Sequence, residues 1–236
     1  MFFGGMIPVT LINYPGIPAC AIFTTLCNFS CPFCHNFKTL VKGELQQEDY
    51  SEKEVLLYLK KRRNLIDGVV ISGGEPCLDL GLPEFVEQVK ELGLKVKIDT
   101  NGSKPEMLKR LIDDGLVDYI AMDIKNSFDK YQITAGLMSP SEVSSAVEGV
   151  KKSISIIMDS GIDYEFRTTV VDGFHTEEDM HKIGSEIYGA KRYYIQQFKL
   201  TPEVKDQSLK PLSYMTMMSF KKIMEEYVKE AKVKLA

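Results

Sequence analysis

The chain has 236 residues, 44% of them hydrophobic, and 29 basic against 33 acidic side chains leave a net charge of −4. That balance gives no electrostatic case for nucleic acid or an anionic membrane surface, and no apolar run reaches the roughly 18–20 residues needed to span a bilayer. The opening MFFGGMIPVTLINYPG lacks the basic stretch and small-residue cleavage site of a secretory signal. The expected compartment is therefore the reducing cytoplasm, where thiols persist as metal ligands. No Gly/Ser linker or low-complexity stretch interrupts the chain, so one domain over 1–236 is expected, with 1–18 as a short N-terminal extension.

Apolar, β-rich runs then alternate with amphipathic ones. Ala19 to Leu26 (ACAIFTTL) reads as a strand that ends at a cysteine loop. Ser51 to Arg63 reads as a helix, with Ser51 and Glu54 forming a capping box. Gly68 to Ser72 is a strand, and Leu82 to Leu92 a helix stopped by Gly93. Lys95 to Asp99 is a strand, and Pro105 to Asp114 a helix stopped by Gly115. Val117 to Ile124 is a strand, followed by a longer helix from Pro140 to Ser160 with Ser139 as its cap. Tyr164 to Val171 is a strand, and Thr176 to Tyr188 a helix with acids in its first turn. Lys191 to Phe198 is the last strand, and 213–234 reads as a closing helix. Six strand–helix units argue an α/β fold with a parallel sheet and crossover helices. A partial (β/α)6 barrel and a doubly wound sheet both satisfy that pattern, and both put chemistry at the C-terminal ends of the strands.

Polar or glycine-rich residues stand at every such end. The first strand runs into CNFSCPFCHN, which places Cys27, Cys31 and Cys34 within eight residues. Three is an odd number for disulfides, and the spacing is too tight for loop-closing bridges. Structural zinc wants four ligands, and His35 beside Cys34 is the available fourth. A [4Fe–4S] cluster held by three cysteines keeps one iron open for a ligand. The second strand ends in SGGEP, the third in DTNG and the fourth in MDIK; the fifth carries Arg167, and the sixth Gln196 and Gln197. Gly73 and Gly74 let backbone approach a ligand closely, and Glu75 could receive an ammonium group. Asp99 and Asn101 could bond ribose hydroxyls, and Lys125 and Arg167 could hold a carboxylate. Taken alone, each of these motifs has a plainer reading: GGEP and DTNG as turns, Asp123 and Lys125 as a surface ion pair. An amine, a carboxylate and a sugar together describe S-adenosylmethionine (SAM), whose amino and carboxylate groups can chelate an iron.

CxxxCxxC followed by GGEP resembles the radical SAM enzymes over about Leu11 to Phe198. The resemblance implies a full or partial (β/α)6 barrel and a [4Fe–4S] cluster on Cys27, Cys31 and Cys34. It implies reductive cleavage of SAM to methionine and a 5′-deoxyadenosyl radical that abstracts a hydrogen atom. INYPG, CHN, DTNG, MDIK and RTTV together resemble the glycyl-radical-enzyme activases, and among these the activating proteins of anaerobic ribonucleoside-triphosphate reductase. Carried over, Phe33 and Asn36 border the adenine, and Gly73, Gly74 and Glu75 meet the methionine end. Asp99, Asn101, Asp123, Lys125 and Arg167 line the pocket, and residues matching Asp99, Thr100, Met122 and Asp123 can hold a monovalent cation. The implied partners are a glycyl radical enzyme as protein substrate and an electron donor such as flavodoxin or ferredoxin. Cys77 stands where a Thr or Leu is expected, and Gln196 where some activases have a His.

Two other functions compete. One is radical SAM chemistry on a small molecule, such as deazapurine formation, or on a pyruvate formate-lyase type of partner. The other is a non-enzymatic iron–sulfur or zinc module. Outside the motifs, Cys20 and Cys77 read as small core residues, His175 and His181 as solvated, and Met215, Met217, Met218 and Met224 as helix packing or a partner face.

Overall fold

The computed structural model describes residues 1–37 and 50–235. Nine strands form one sheet: β1 (Phe2–Thr10), β2 (Ala19–Thr24), β3 (Tyr50–Ser51), β4 (Gly68–Gly73), β5 (Lys95–Thr100), β6 (Tyr119–Asp123), β7 (Asp163–Val170), β8 (Tyr193–Gln197) and β9 (Ala231–Lys234). Their order is β3-β1-β2-β4-β5-β6-β7-β8-β9. Every pairing from β2 to β9 is parallel. Among the parallel strands, β2 and β4 to β9, the spatial order follows the chain without reversing. A doubly wound sheet reverses at a switch point, so the sequential order selects the partial barrel.

Among the described residues, seven α-helices lie between and after the strands: α1 (Glu52–Arg62), α2 (Leu82–Glu91), α3 (Pro105–Asp113), the single turn α4 (Tyr131–Thr134), α5 (Pro140–Asp159), α6 (Glu177–Glu186) and α7 (Tyr214–Met224). The strand period of two sends alternate side chains to opposite faces. Val69, Ile71, Val96, Ile98, Ile120 and Phe166 pack against Phe85, Val89, Leu111 and Val150 of the helices. The intervening Ala19, Ala21, Val70, Tyr119 and Ala121 gather with Tyr14 on the inner face. The expected capping box is present: the Ser51 hydroxyl accepts from Glu54 N–H at 3.3 Å and the Glu54 carboxylate from Ser51 N–H at 2.8 Å. Such a cap stabilises by about 1 kcal/mol, whereas burying each of Phe85, Val86 and Val89 contributes roughly 1.5–3 kcal/mol. Packing on the sheet, more than capping, therefore holds the helices.

The ends of the chain depart from expectation. Residues 2–10 are a strand, antiparallel to β2 and β3, rather than an extension. The glycine pair and Pro8 obscured it; its register is broken between Phe3 and Gly5 and again between Ile7 and Thr10, where Pro8 falls. Phe3 is nonetheless fully buried and packs on Phe85 with ring centroids 5.0 Å apart. The closing helix over 213–234 is also corrected. Helix α7 stops at Met224, and Ala231–Lys234 joins the sheet parallel to β8. Lys and Glu favour helix locally, but the alternating AKVK run can add a strand to the edge of β8 only if the chain turns back first. Met217 and Met224 are packed as expected, while Met215 is exposed.

Candidate cofactor site

The C-terminal ends of β2 and β4 to β7 converge on one cleft. Its walls include Cys27, Phe33, Cys31, Cys34, Asn36, Gly73, Gly74, Asp99, Asn101, Asp123, Lys125 and Arg167. Of the residues singled out from the sequence, Glu75, Met122, Gln196 and Gln197 are not among them. The cleft encloses about 800 Å³, open solvent at its mouth included.

The cysteine loop is built by backbone approaches that need glycine. Leu26, just before Cys27, has a φ of 68°, in the left-handed region; for a non-glycine residue this costs roughly 1–3 kcal/mol. It persists because Glu75 N–H donates to Leu26 C=O at 2.9 Å and Gly74 N–H to Thr24 C=O at 2.9 Å. A Cβ on Gly74 would lie 1.8 Å from the Leu26 oxygen. The glycine pair thus lets the loop after β4 cross the loop after β2. Gly136 does the same from the far side: a Cβ there would lie 2.1 Å from the Ser30 oxygen. Ser30 N–H donates to Ala135 C=O at 2.8 Å, and Asp206 N–H to Pro32 C=O at 2.9 Å. Asn28 and Asn101 join the cysteine loop to the end of β5, the Asn101 amide donating to Asn28 at 3.0 Å and lying 3.9 Å from Cys27 Sγ.

All five cysteines are free thiols, and Cys20 and Cys77 are buried. Burial pushes the Cys27 thiol up to about 12 and that of Cys31 to about 11, so metal coordination has to displace their protons. Among the described residues, no three His, Cys, Asp or Glu side chains are placed to hold one metal ion. A mononuclear zinc site needs ligands that close on one point. Three thiols on the wall of one cleft suit a cluster whose separate irons each take one thiolate.

Glu75 is corrected. Its carboxylate, 1% exposed, accepts from Cys77 N–H at 3.0 Å, Thr100 Oγ1 at 2.7 Å and Asn101 N–H at 2.6 Å. It braces the DTNG turn against the GGEP loop and does not face the cleft, because the turn of Gly73 and Gly74 swings the next side chain inward.

The polar wall is an ion network. Arg167 Nε donates to Asp123 at 2.7 Å and its Nη1 to Asp99 at 3.3 Å. Lys125 Nζ donates to Asp123 at 3.0 Å, and Ser72 Oγ to Asp99 at 3.1 Å. Lys97, from the strand below, pairs with the other Asp99 oxygen. Burial opposes ionisation of Asp123, but the Arg167 and Lys125 charges outweigh it and hold its carboxyl far below the usual range. The same network raises Lys125 and Arg167 despite burial, mainly through Asp123. All three side chains stay charged.

Two contributors were missed from sequence. Lys97, a strand position in the sequence, is buried and pairs with Asp99. His175, read as solvated, is 4% exposed: Nδ1 accepts from Val171 N–H at 3.1 Å, so Nε2 carries the proton and donates to Lys125 C=O at 2.9 Å. Its ring also packs against Phe33 at 6.4 Å. It holds the Lys125 backbone and the Phe33 ring from behind. A histidine in DGFHTEED, next to helix-capping acids, carries no signal of such a place. His181 is exposed, as expected.

The fold and the site define a class. Residues 21–185 match the model of the Radical SAM superfamily, and the chain belongs to that family of enzymes, which implies a [4Fe–4S] cluster and SAM. Among its relatives is a candidate glycyl-radical enzyme activating enzyme of Methanocaldococcus jannaschii, 34% identical over 199 residues, covering 83% of this chain and 79% of the relative. A candidate GTP 3′,8-cyclase of Methanococcus maripaludis is 30% identical over 137 residues, covering 56% of this chain but only 44% of the cyclase. TYW1 with a lysine-pyruvate adduct bound has the same fold at TM-score 0.62 and 14% identity, over 89% of this chain and 75% of TYW1. Streptococcus suis SuiB bound to S-adenosylmethionine gives 0.66 and 13%, over 90% of this chain and 48% of SuiB. No helix among the described residues is long and apolar enough to cross a membrane.

Proposed function

We propose that the chain is a glycyl-radical-enzyme activase whose protein substrate is an anaerobic ribonucleoside-triphosphate reductase. The relative from M. jannaschii carries the activase part of this reading, since the match covers most of both chains, while the cyclase match covers under half of the cyclase; the choice of reductase rests on the likeness of INYPG, CHN, DTNG, MDIK and RTTV. The rim gives it further support. Leu26, Met138 and Leu200, on loops beyond the C-terminal ends of β2, β6 and β8, are exposed large apolar side chains, suited to contact with a protein that covers the cleft.

Cys27, Cys31 and Cys34 would hold the cluster, leaving one iron for SAM. When bound, the cluster supplies the electron that splits SAM into methionine and a 5′-deoxyadenosyl radical; flavodoxin or ferredoxin would recharge it. The chain's residues bind and orient. Gly73 and Gly74 expose main chain at the cleft, and Lys125 and Arg167 present fixed positive charge where a carboxylate would lie. Phe33 offers an aromatic edge beside Asn36. An inserted glycine loop would exclude water and give up its Cα hydrogen to C5′, yielding 5′-deoxyadenosine and a glycyl radical.

The test is anaerobic. The reconstituted, reduced enzyme is mixed with SAM and the reductase, the EPR spectrum is recorded and 5′-deoxyadenosine is assayed. A persistent glycyl-radical doublet that requires every component supports the proposal, and Cys31→Ala should abolish cluster binding and SAM cleavage together. Deoxyadenosine without the doublet would overturn the proposed partner.

A further inference from the structure

Lysine is almost never fully buried unless paired, yet Lys97 is 1% exposed, on the inner face of the sheet beneath the cofactor cleft. Nothing in the radical chemistry above uses it. Its strand register sets it beside Val70 and Tyr119, and its ammonium lies 5.9 Å from the Tyr119 ring centroid. Its partner is Asp99, two residues along the same strand and so on the same face, whose carboxylate forms part of the cleft wall.

Asp99 pairs with two cations, and Lys97 is the closer of them. The neighbouring carboxylates have other partners: Asp123 faces Lys125 and Arg167, and Glu165 faces Arg167 and Lys234. Without Lys97, Asp99 would keep only Ser72 and one Arg167 nitrogen at 3.3 Å. The side-chain oxygens that a monovalent cation would use are also engaged. Both Asp99 oxygens and both Asp123 oxygens already face cations, and the Thr100 hydroxyl donates to Glu75 at 2.7 Å while accepting from Gly102 N–H at 3.1 Å. Met122 is wholly buried on the helix side of β6. This site does not fit a bound alkali cation.

We propose that Lys97 is a positioning residue that serves as a built-in counter-cation: its ammonium fills the role of an alkali ion beside Asp99, so this enzyme binds SAM without a monovalent cation. The inference rests on the reading of the cleft as the SAM site.

Equilibrium dialysis of labelled SAM against the cluster-loaded enzyme tests it, with tetramethylammonium, too bulky to enter, replacing sodium and potassium. The wild type should hold its affinity within about twofold. Lys97→Met should lose at least about tenfold in tetramethylammonium and regain it with potassium or sodium. A wild type that needs an alkali ion overturns the proposal, as does a folded Lys97→Met that binds SAM normally or whose loss no small cation restores. Should Lys97→Met fail to fold, the wild-type comparison still decides. A wild type that binds no SAM under any salt refutes the site reading itself.

Discussion

Glu75→Gln separates a brace from a ligand contact. The carboxylate accepts three hydrogen bonds, from Cys77 N–H, the Thr100 hydroxyl and Asn101 N–H, at 3.0, 2.7 and 2.6 Å. Bonds to a charged group contribute about 1.5–3 kcal/mol each. A glutamine keeps one oxygen and turns an NH₂ toward donors, so the bonds made by one carboxylate oxygen are lost and the rest lose their charge. Removing the charge also relieves a buried-ion desolvation cost of several kcal/mol, leaving a net loss of about 2–3 kcal/mol. Urea unfolding of the apoprotein under anaerobic conditions reads this as a lower midpoint at unchanged slope. SAM affinity of the folded, cluster-loaded variant should change by less than about tenfold. An unchanged midpoint with a collapse in SAM affinity would refute the argument and return Glu75 to the ligand.

Gly74→Ala should prevent stable cluster loading, seen as loss of the iron–sulfur absorbance after reconstitution, because its Cβ would lie 1.8 Å from the Leu26 oxygen. Gly136→Ala, at a φ of 64° and 2.1 Å from the Ser30 oxygen, should cost at least about 1–3 kcal/mol by urea unfolding and slow cluster loading. Asp179→Asn tests pH dependence. Burial opposes ionisation of Asp179, but Lys130, Thr176 and Ser127 outweigh it and depress its carboxyl below the ordinary 3.8. Its contribution is therefore complete above that value and is lost as pH falls through the lower folded one. The variant should be less stable by about 1–3 kcal/mol at neutral pH, and the gap should close in strong acid; a gap independent of pH would contradict the charge argument.

Much of the fold and site was legible because both rest on local signals. Alternating strand and helix patterns located six parallel strands and their helices, since burial against a sheet imposes a period of 2 on one and 3.6 on the other. Strand ends were legible because a parallel sheet brings them to one rim. Hence CNFSCPFCHN, Gly73–Gly74, Asp99, Asp123, Lys125 and Arg167 could be gathered into one site from their positions in the chain. Direction and depth were not legible. Whether Glu75 faces a ligand or a neighbouring turn depends on how Gly73 crosses the loop after β2. Whether Lys97 meets solvent or lies beneath a cleft depends on which strands flank it, and whether Ala231–Lys234 stays helical depends on the open edge of β8. His175 reaches Lys125 across 50 residues of chain. The sequence by itself determined the six strand–helix units, the chemistry-bearing rim and the family, but not the strands at the two ends of the chain. Only the tertiary structure decided which charged side chains confront one another, because that depends on burial and on distances between strands remote in the chain.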